Sequence, residues 1–375
     1  QHNYAGITEF FWVILQTALR PVLDDLFPRE KIKINWDPYS PEIPKLPELR
    51  SKPPKRVGEL SKFGEGFSKF LKAAAKVLKP NGVLVVWYAY GKLSGWEELF
   101  WRFYEAGYSV TKTWQVWTQS SQRRIALHAK AFFTSMVIVA RPYGKRQLLL
   151  GADDPRLVEE VSKRTKASLW FVLDTYGSEH LPEALVISMA DGITAVTMFE
   201  TGIEDLFTGL TNYRKMLNVS LKVSTDTVLE ELARISFSNL SIQTMEPISR
   251  LYLLLLIASS DKLIVSYDFA NRLSQVLKAS LNTIVRTGKR KESMPLISPW
   301  EMSSRDFSVS GALRLIYEVA ETLSSAGVRA AEDLARRNSI YAPLALIIVN
   351  LVWDKLNINN VDKESVVNIL RGVIS

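Results

Sequence analysis

Aromatic and basic residues in this chain fall in groups whose types and spacing suit a planar, negatively charged ligand. Tyr88, Tyr90 and Lys92 sit at the carboxyl end of an apolar run at residues 83–86. In open α/β sheets ligands bind outside the carboxyl ends of strands. The two rings could stack on a base there, and Lys92 could meet a phosphate. An aromatic lid over a core, with a solvated lysine, accounts for the same residues. Trp114, Trp117, Gln119, Arg123 and Arg124 interleave aromatic and basic groups around a turn, as nucleic-acid binders do. Strand aromatics beside a charged hairpin tip would look alike. Thr287-Gly288-Lys289-Arg290-Lys291 reads as the wing of a winged-helix-like unit, with phosphates as its targets. A solvated hairpin tip is the alternative.

Other chemistries find little support. The 375 residues contain no cysteine, so disulfides, cysteine-based zinc sites and thiol catalysis are excluded within them. The histidines, His2, His128 and His180, are too scattered for a metal motif. No Ser/His/Asp set or phosphate-binding loop is present. The formal charge is +8 and the pI about 9.4, which attracts polyanions and makes nucleic acid the first partner to consider. The longest apolar runs, residues 251–258 and 342–349, fall short of the roughly 20 residues of a membrane helix. No secretory signal pattern appears, and a cytoplasmic protein without membrane contact is expected. The chain starts with Gln, which reads as a processed, truncated or partial product.

The elements that must position these groups follow from periodicity. Residues 4–27 read as a helix kinked at Pro21, and residues 28–57 as a proline-rich basic loop. Residues 58–78 read as a helix with Phe67, Phe70, Leu71, Ala74 and Leu78 on one face. Lys79-Pro80-Asn81-Gly82 stops it, with Asn-Gly expected to supply positive φ. Residues 83–86 suit a strand covered on both faces. A helix over 96–105 and strands over 108–117 and 132–141 complete an αβαββ tail. Helical periodicity then dominates. Predicted boundaries are 1–148 for the α/β part, 149–245 for a helical domain, 246–300 for the winged-helix-like unit and 301–375 for a C-terminal helical segment, in which residues 310–375 read as three further helices.

The chain resembles the back half of the zinc-ribbon-containing adenine-specific DNA methylases. In that family a catalytic Asp-Pro-Pro-Tyr is followed by Tyr-Ala/Ser-Glu-Leu-Ser-Asp-Phe-Phe. Tyr4-Ala5-Gly6-Ile7-Thr8-Glu9-Phe10-Phe11 is similar to that second element. Val77-Leu78-Lys79-Pro80-Asn81-Gly82-Val83-Leu84-Val85-Val86, Trp96-Glu97-Glu98-Leu99, Glu105-Ala106-Gly107-Tyr108 and Thr113-Trp114-Gln115-Val116-Trp117-Thr118-Gln119 are similar to successive later segments. Arg250-Leu251-Tyr252-Leu253-Leu254 and Tyr267-Asp268-Phe269-Ala270-Asn271-Arg272-Leu273 resemble the family's helical C-terminal region. The likeness covers most of the chain and is strongest over 66–142. Two departures matter. The glycine-rich cofactor loop and the Asp-Pro-Pro-Tyr are both absent, and Asp37-Pro38-Tyr39 has one proline and aligns elsewhere.

The resemblance implies an α/β fold: the second half of a doubly wound, Rossmann-like methyltransferase sheet, followed by a mainly α-helical domain with a winged-helix unit. It implies part of an S-adenosylmethionine-dependent enzyme acting on adenine N6 in DNA, with the cofactor site mostly outside this chain. Asn3, Tyr4, Tyr88, Tyr90 and Lys92 would line the target pocket. Trp117, Arg123, Arg124, Lys289, Arg290 and Lys291 would contact DNA, and no residue here would be catalytic. The partners would be DNA and the N-terminal half of the methyltransferase. A non-catalytic DNA-binding or scaffold protein derived from such an enzyme is the other reading. An isolated half would leave the strand at 83–86 and adjacent helix faces uncovered.

Overall fold

The computed structural model describes residues 62–79, 81–88, 93–117, 134–142, 146–177, 180–201, 206–235, 245–259, 262–286 and 293–374. The chain divides into two compact units, residues 1–53 with 60–66, and residues 54–59 with 67–375. The sheets and most of the helices belong to the second unit. The expected helix at 4–27 and the proline-rich loop lie outside the described residues.

Helix α1 (Lys62–Val77) enters this unit at Phe67 and buries Leu71 while Phe70 faces out. The turn after it corrects an expectation. Positive φ among the described residues occurs at Leu263, Lys278, Asn357, Gly107, Gly177 and Gly327, not at Asn81 or Gly82. Gly82 is required by close approach instead. Its amide donates to the Lys79 carbonyl at 2.7 Å, and a Cβ would stand 2.9 Å from that oxygen.

Strand β1 (Leu84–Tyr88) leads to α2 (Leu93–Glu105), and Gly107, at φ 79°, turns the chain into β2 (Tyr108–Trp117). Strand β3 (Thr134–Pro142) enters between them, so the sheet order is β1-β3-β2. Because β3 is antiparallel to both neighbours, β1 and β2 are parallel and α2 is their crossover. A small parallel pair, β4 (Gln147–Leu149) with β5 (Phe199–Thr201), lies beyond.

The rest is mainly helical, as expected. Helices α3 (Pro155–Tyr176), α4 (Leu181–Thr194) and α5 (Leu206–Ile235) pack together. Leu181–Met198 is apolar and long enough to cross a membrane, but 89% of it is buried inside the protein. Apolar all round, it is the central helix of the core. Gly192 lets it approach its neighbours: a Cβ there would stand 2.2 Å from Thr165 Oγ1 and 2.3 Å from Ser224 Oγ.

Residues 246–300, expected to form a winged-helix-like unit, contain α6 (Pro247–Ala258), β6 (Ile264–Ser266), α7 (Tyr267–Leu277) and β7 (Ser293–Pro295). Strands β6 and β7 pair antiparallel, and Val285 bridges to Leu296, so the chain on both sides of the expected wing is a hairpin root. Helix α7 stops at Leu277, where Lys278 takes a left-handed φ of 54°. Helices α8 (Pro299–Ser303), α9 (Ser308–Ala326), α10 (Val328–Arg337), α11 (Ala342–Val352) and α12 (Lys363–Ile374) close the chain. From residue 308 onward there are four α-helices where three were expected. Gly327, at φ 84°, separates α9 from α10.

Candidate functional site

The three-stranded sheet has two unlike faces. Across β1, β3 and β2, the rows Leu84–Ala140–Val110, Val86–Ile138–Thr113 and Tyr88–Met136–Gln115 point one way. Val110, Met136, Ile138 and Ala140 are at most 1% exposed. Polar pegs fasten this face to the helices behind it. The Thr113 hydroxyl donates to Asp191 of α4, and Gln115 Nε2 donates to Ser168 of α3 at 2.8 Å. Ser109 Oγ donates to the Thr197 carbonyl at 2.7 Å, and Thr197 Oγ1 accepts from the Val110 amide at 2.8 Å. Burial pushes the Asp191 carboxyl up, against the pull of Thr113 and Arg164.

The opposite face is apolar and open. Its rows are Val85–Val139–Lys112 and Trp87–Val137–Trp114. Val85 is 56% exposed, Trp87 59% and Trp114 45%. Strand β1 therefore alternates in burial rather than being covered on both faces, which corrects the reading of residues 83–86. A continuous apolar run arises either when both faces are covered or when one awaits cover. The second edge of β1 also has no ladder partner among the described residues. Contiguous apolar surface and an unpaired edge both mark sites of association.

Of the residues expected to bind ligand, Tyr88 is fully described. Its ring meets Trp96 edge-on at 4.9 Å, so it lies on the covered face as a lid over the α2 core. Trp117 ends β2 opposite Thr134. Asn3, Tyr4, Tyr90, Lys92, Arg123, Arg124, Lys289, Arg290 and Lys291 lie outside the described residues.

The link from the sheet to the segment over residues 246–300 was not legible in the sequence. Arg272 of α7 donates from Nε to Glu97 of α2 at 2.5 Å and from Nη2 to Asn218 of α5 at 3.0 Å. Helix α7 is thus turned inward by its arginine instead of presenting it to a groove. Burial outweighs Arg272 and raises Glu97 to about 7. A second arginine, Arg146, lies over the Tyr104 ring at 3.9 Å and donates to the carbonyls of Tyr104 and Thr197 at 2.5 and 3.1 Å. It ties the end of α2 to the segment after α4.

Among the described residues no group of histidine and carboxylate side chains could hold a metal. No described strand-to-helix turn is glycine-rich. Strand β1 passes to α2 through Ala89-Tyr90-Gly91-Lys92, with one glycine, so the residues present do not fit S-adenosylmethionine. The arrangement can associate and hold position. Comparison with protein-family models, curated proteins and solved structures returned no match.

Proposed function

We propose that this chain is the trailing half of an S-adenosylmethionine-dependent, adenine-specific (N6) DNA methyltransferase. Its sheet would be completed by the half that carries the glycine-rich loop and the Asp-Pro-Pro-Tyr. One observation carries the reading: a β-α-β unit whose β1 edge has no ladder partner among the described residues, with one open apolar face and, on the other side, β2 and β3 residues that are buried. Parallel strands joined through a helix are the repeating unit of doubly wound sheets, and an antiparallel strand at the end of such sheets is common. A Rossmann-like sheet continued beyond β1 by parallel strands would cover Val85, Trp87 and Trp114 with helices of the front half. S-adenosylmethionine, held mostly by that half, would supply the methyl group. This chain would add the sheet edge and, with Tyr90 and Lys92 at the carboxyl end of β1, part of the base pocket. The net positive charge favours DNA as the polyanion drawn to it.

The test is reconstitution. Alone, the chain should neither bind S-adenosylmethionine nor methylate DNA. Combined with the polypeptide bearing the Asp-Pro-Pro-Tyr, it should do both. Methylation by this chain alone, or no association between the two, contradicts the reading. The missing cofactor loop favours one other reading, a non-catalytic DNA-binding scaffold. That reading predicts DNA affinity falling steeply with salt and no methylation in any combination. Under either reading, replacing Lys289, Arg290 and Lys291 together by alanine should weaken DNA binding and flatten its salt dependence, by about one unit of slope for each phosphate no longer neutralised.

A further inference from the structure

A groove of about 540 Å³ opens between the start of α8, helix α9 and the loop over residues 356–361. That size lies within the range of small-molecule sites. One wall is Trp300 of α8, 65% exposed. Tyr317 of α9 stands perpendicular to it, with centroids 5.0 Å apart and an interplanar angle of 81°. The Tyr317 hydroxyl donates to the Leu356 carbonyl at 3.0 Å, which roots the ring, and burial raises the phenol to about 12, so it is neutral at physiological pH. Facing these rings is the loop that carries Asn357, Asn359 and Asn360. Asn357 holds the left-handed turn of that loop at φ 54°, a conformation asparagine tolerates better than most residues. The three amide side chains make no hydrogen bond among the described residues.

The lining selects the ligand class. It contains one carboxylate, Glu321, and no lysine, arginine or histidine. A phosphate would find no counter-charge inside. A neutral planar ring with donors and acceptors along its edge would find an indole to stack on and amides to pair with. The wall is also well anchored. Ser298 and Glu301 form a capping box that starts α8. Arg286 donates from its backbone to Pro295 at 2.9 Å and from Nη2 to Glu301 at 2.5 Å, joining both legs of the hairpin to the helix that carries Trp300.

We propose that this groove binds one unstacked nucleobase of a single strand, with Trp300 stacking on the base and the asparagines reading its edge. The proposal rests on nucleic-acid binding by the chain and adds a second, base-directed contact to the charge-driven one. Stacking on an aromatic side chain is sequence-tolerant, so affinity here should favour unpaired strands over duplex.

The experiment uses the full chain, a single-stranded oligonucleotide containing 2-aminopurine, and the matching duplex. Wild-type protein should bind the single strand and quench the probe, because stacking on indole quenches 2-aminopurine. Trp300→Ala should weaken single-strand binding about tenfold, abolish the quenching, and leave duplex affinity and circular dichroism unchanged. Trp300→Phe should restore most of the affinity. Joint replacement of Asn359 and Asn360 by alanine should reduce discrimination among bases while keeping the quenching. Wild-type protein that binds no nucleic acid overturns both this proposal and the DNA reading beneath it. Wild-type protein that binds, with Trp300→Ala binding and quenching equally well, overturns the groove alone.

Discussion

The two faces of one small sheet show opposite solutions to the same problem. On the covered face, Ile138 and Met136 are buried, and Thr113 and Gln115 reach specific partners on helices far away in sequence. On the other, Val85, Trp87 and Trp114 are large apolar groups left about half exposed. The same three strands build both, so the difference lies in what packs against them. A face with polar pegs has met its permanent neighbour. A face of exposed tryptophan and valine is, under the proposed function, the one that awaits its neighbour.

That contrast can be broken by mutation. Ile138→Ala should destabilise the chain by about 2–5 kcal/mol, since it empties a close-packed site. Val85→Ala, on the same sheet but the open face, should cost no more than about 0.5 kcal/mol when the chain is alone. Urea denaturation of the two variants measures both, and equal costs would mean that the open face is covered within the chain. Gly192→Ala probes the far side of the covered face. Its methyl group would collide with Thr165 and Ser224, and a loss of about 1–3 kcal/mol is expected. An unchanged denaturation midpoint would show that the α3–α4–α5 seam is loose.

A smaller effect concerns the tie between α2 and α7. Glu97 is raised from its usual 4.5 to about 7, so the folded chain holds this proton more tightly than the unfolded chain does. Its contribution to stability is complete below about pH 4.5 and is lost as pH rises through about 7. Glu97→Gln should therefore flatten the fall in stability between those limits. A wild-type pH profile retained in the variant would show that Glu97 does not titrate in this window.

Much of the local structure was legible in the sequence. Strand β2 runs over Tyr108–Trp117 as expected, and α2 and β3 fall within a few residues of their expected spans. What escaped was set by distant partners. Thr113 and Asp191 are unremarkable alone, and nothing local joins a strand threonine to a helix aspartate 78 residues on. Arg272 reads as a surface residue of an amphipathic helix until α2 and α5 close on it. The run at residues 83–86 was misread because hydrophobicity records that a face is meant to be covered, without recording by what. The groove at Trp300 was missed for a related reason: its two walls come from segments separated in sequence, and asparagines in a loop look like ordinary turn residues.

Backbone hydrogen exchange of residues 83–88 tests the central claim most directly, measured on the chain alone and with the polypeptide carrying the Asp-Pro-Pro-Tyr. Strand β1 alone has one ladder and one open edge, so part of its amides should exchange quickly. Addition of the partner should protect them, and Trp87→Ser with Trp114→Ser should abolish that protection while leaving the lone chain folded. Exchange at β1 that is already slow in a monodisperse monomer, and unchanged by the partner, would contradict the account.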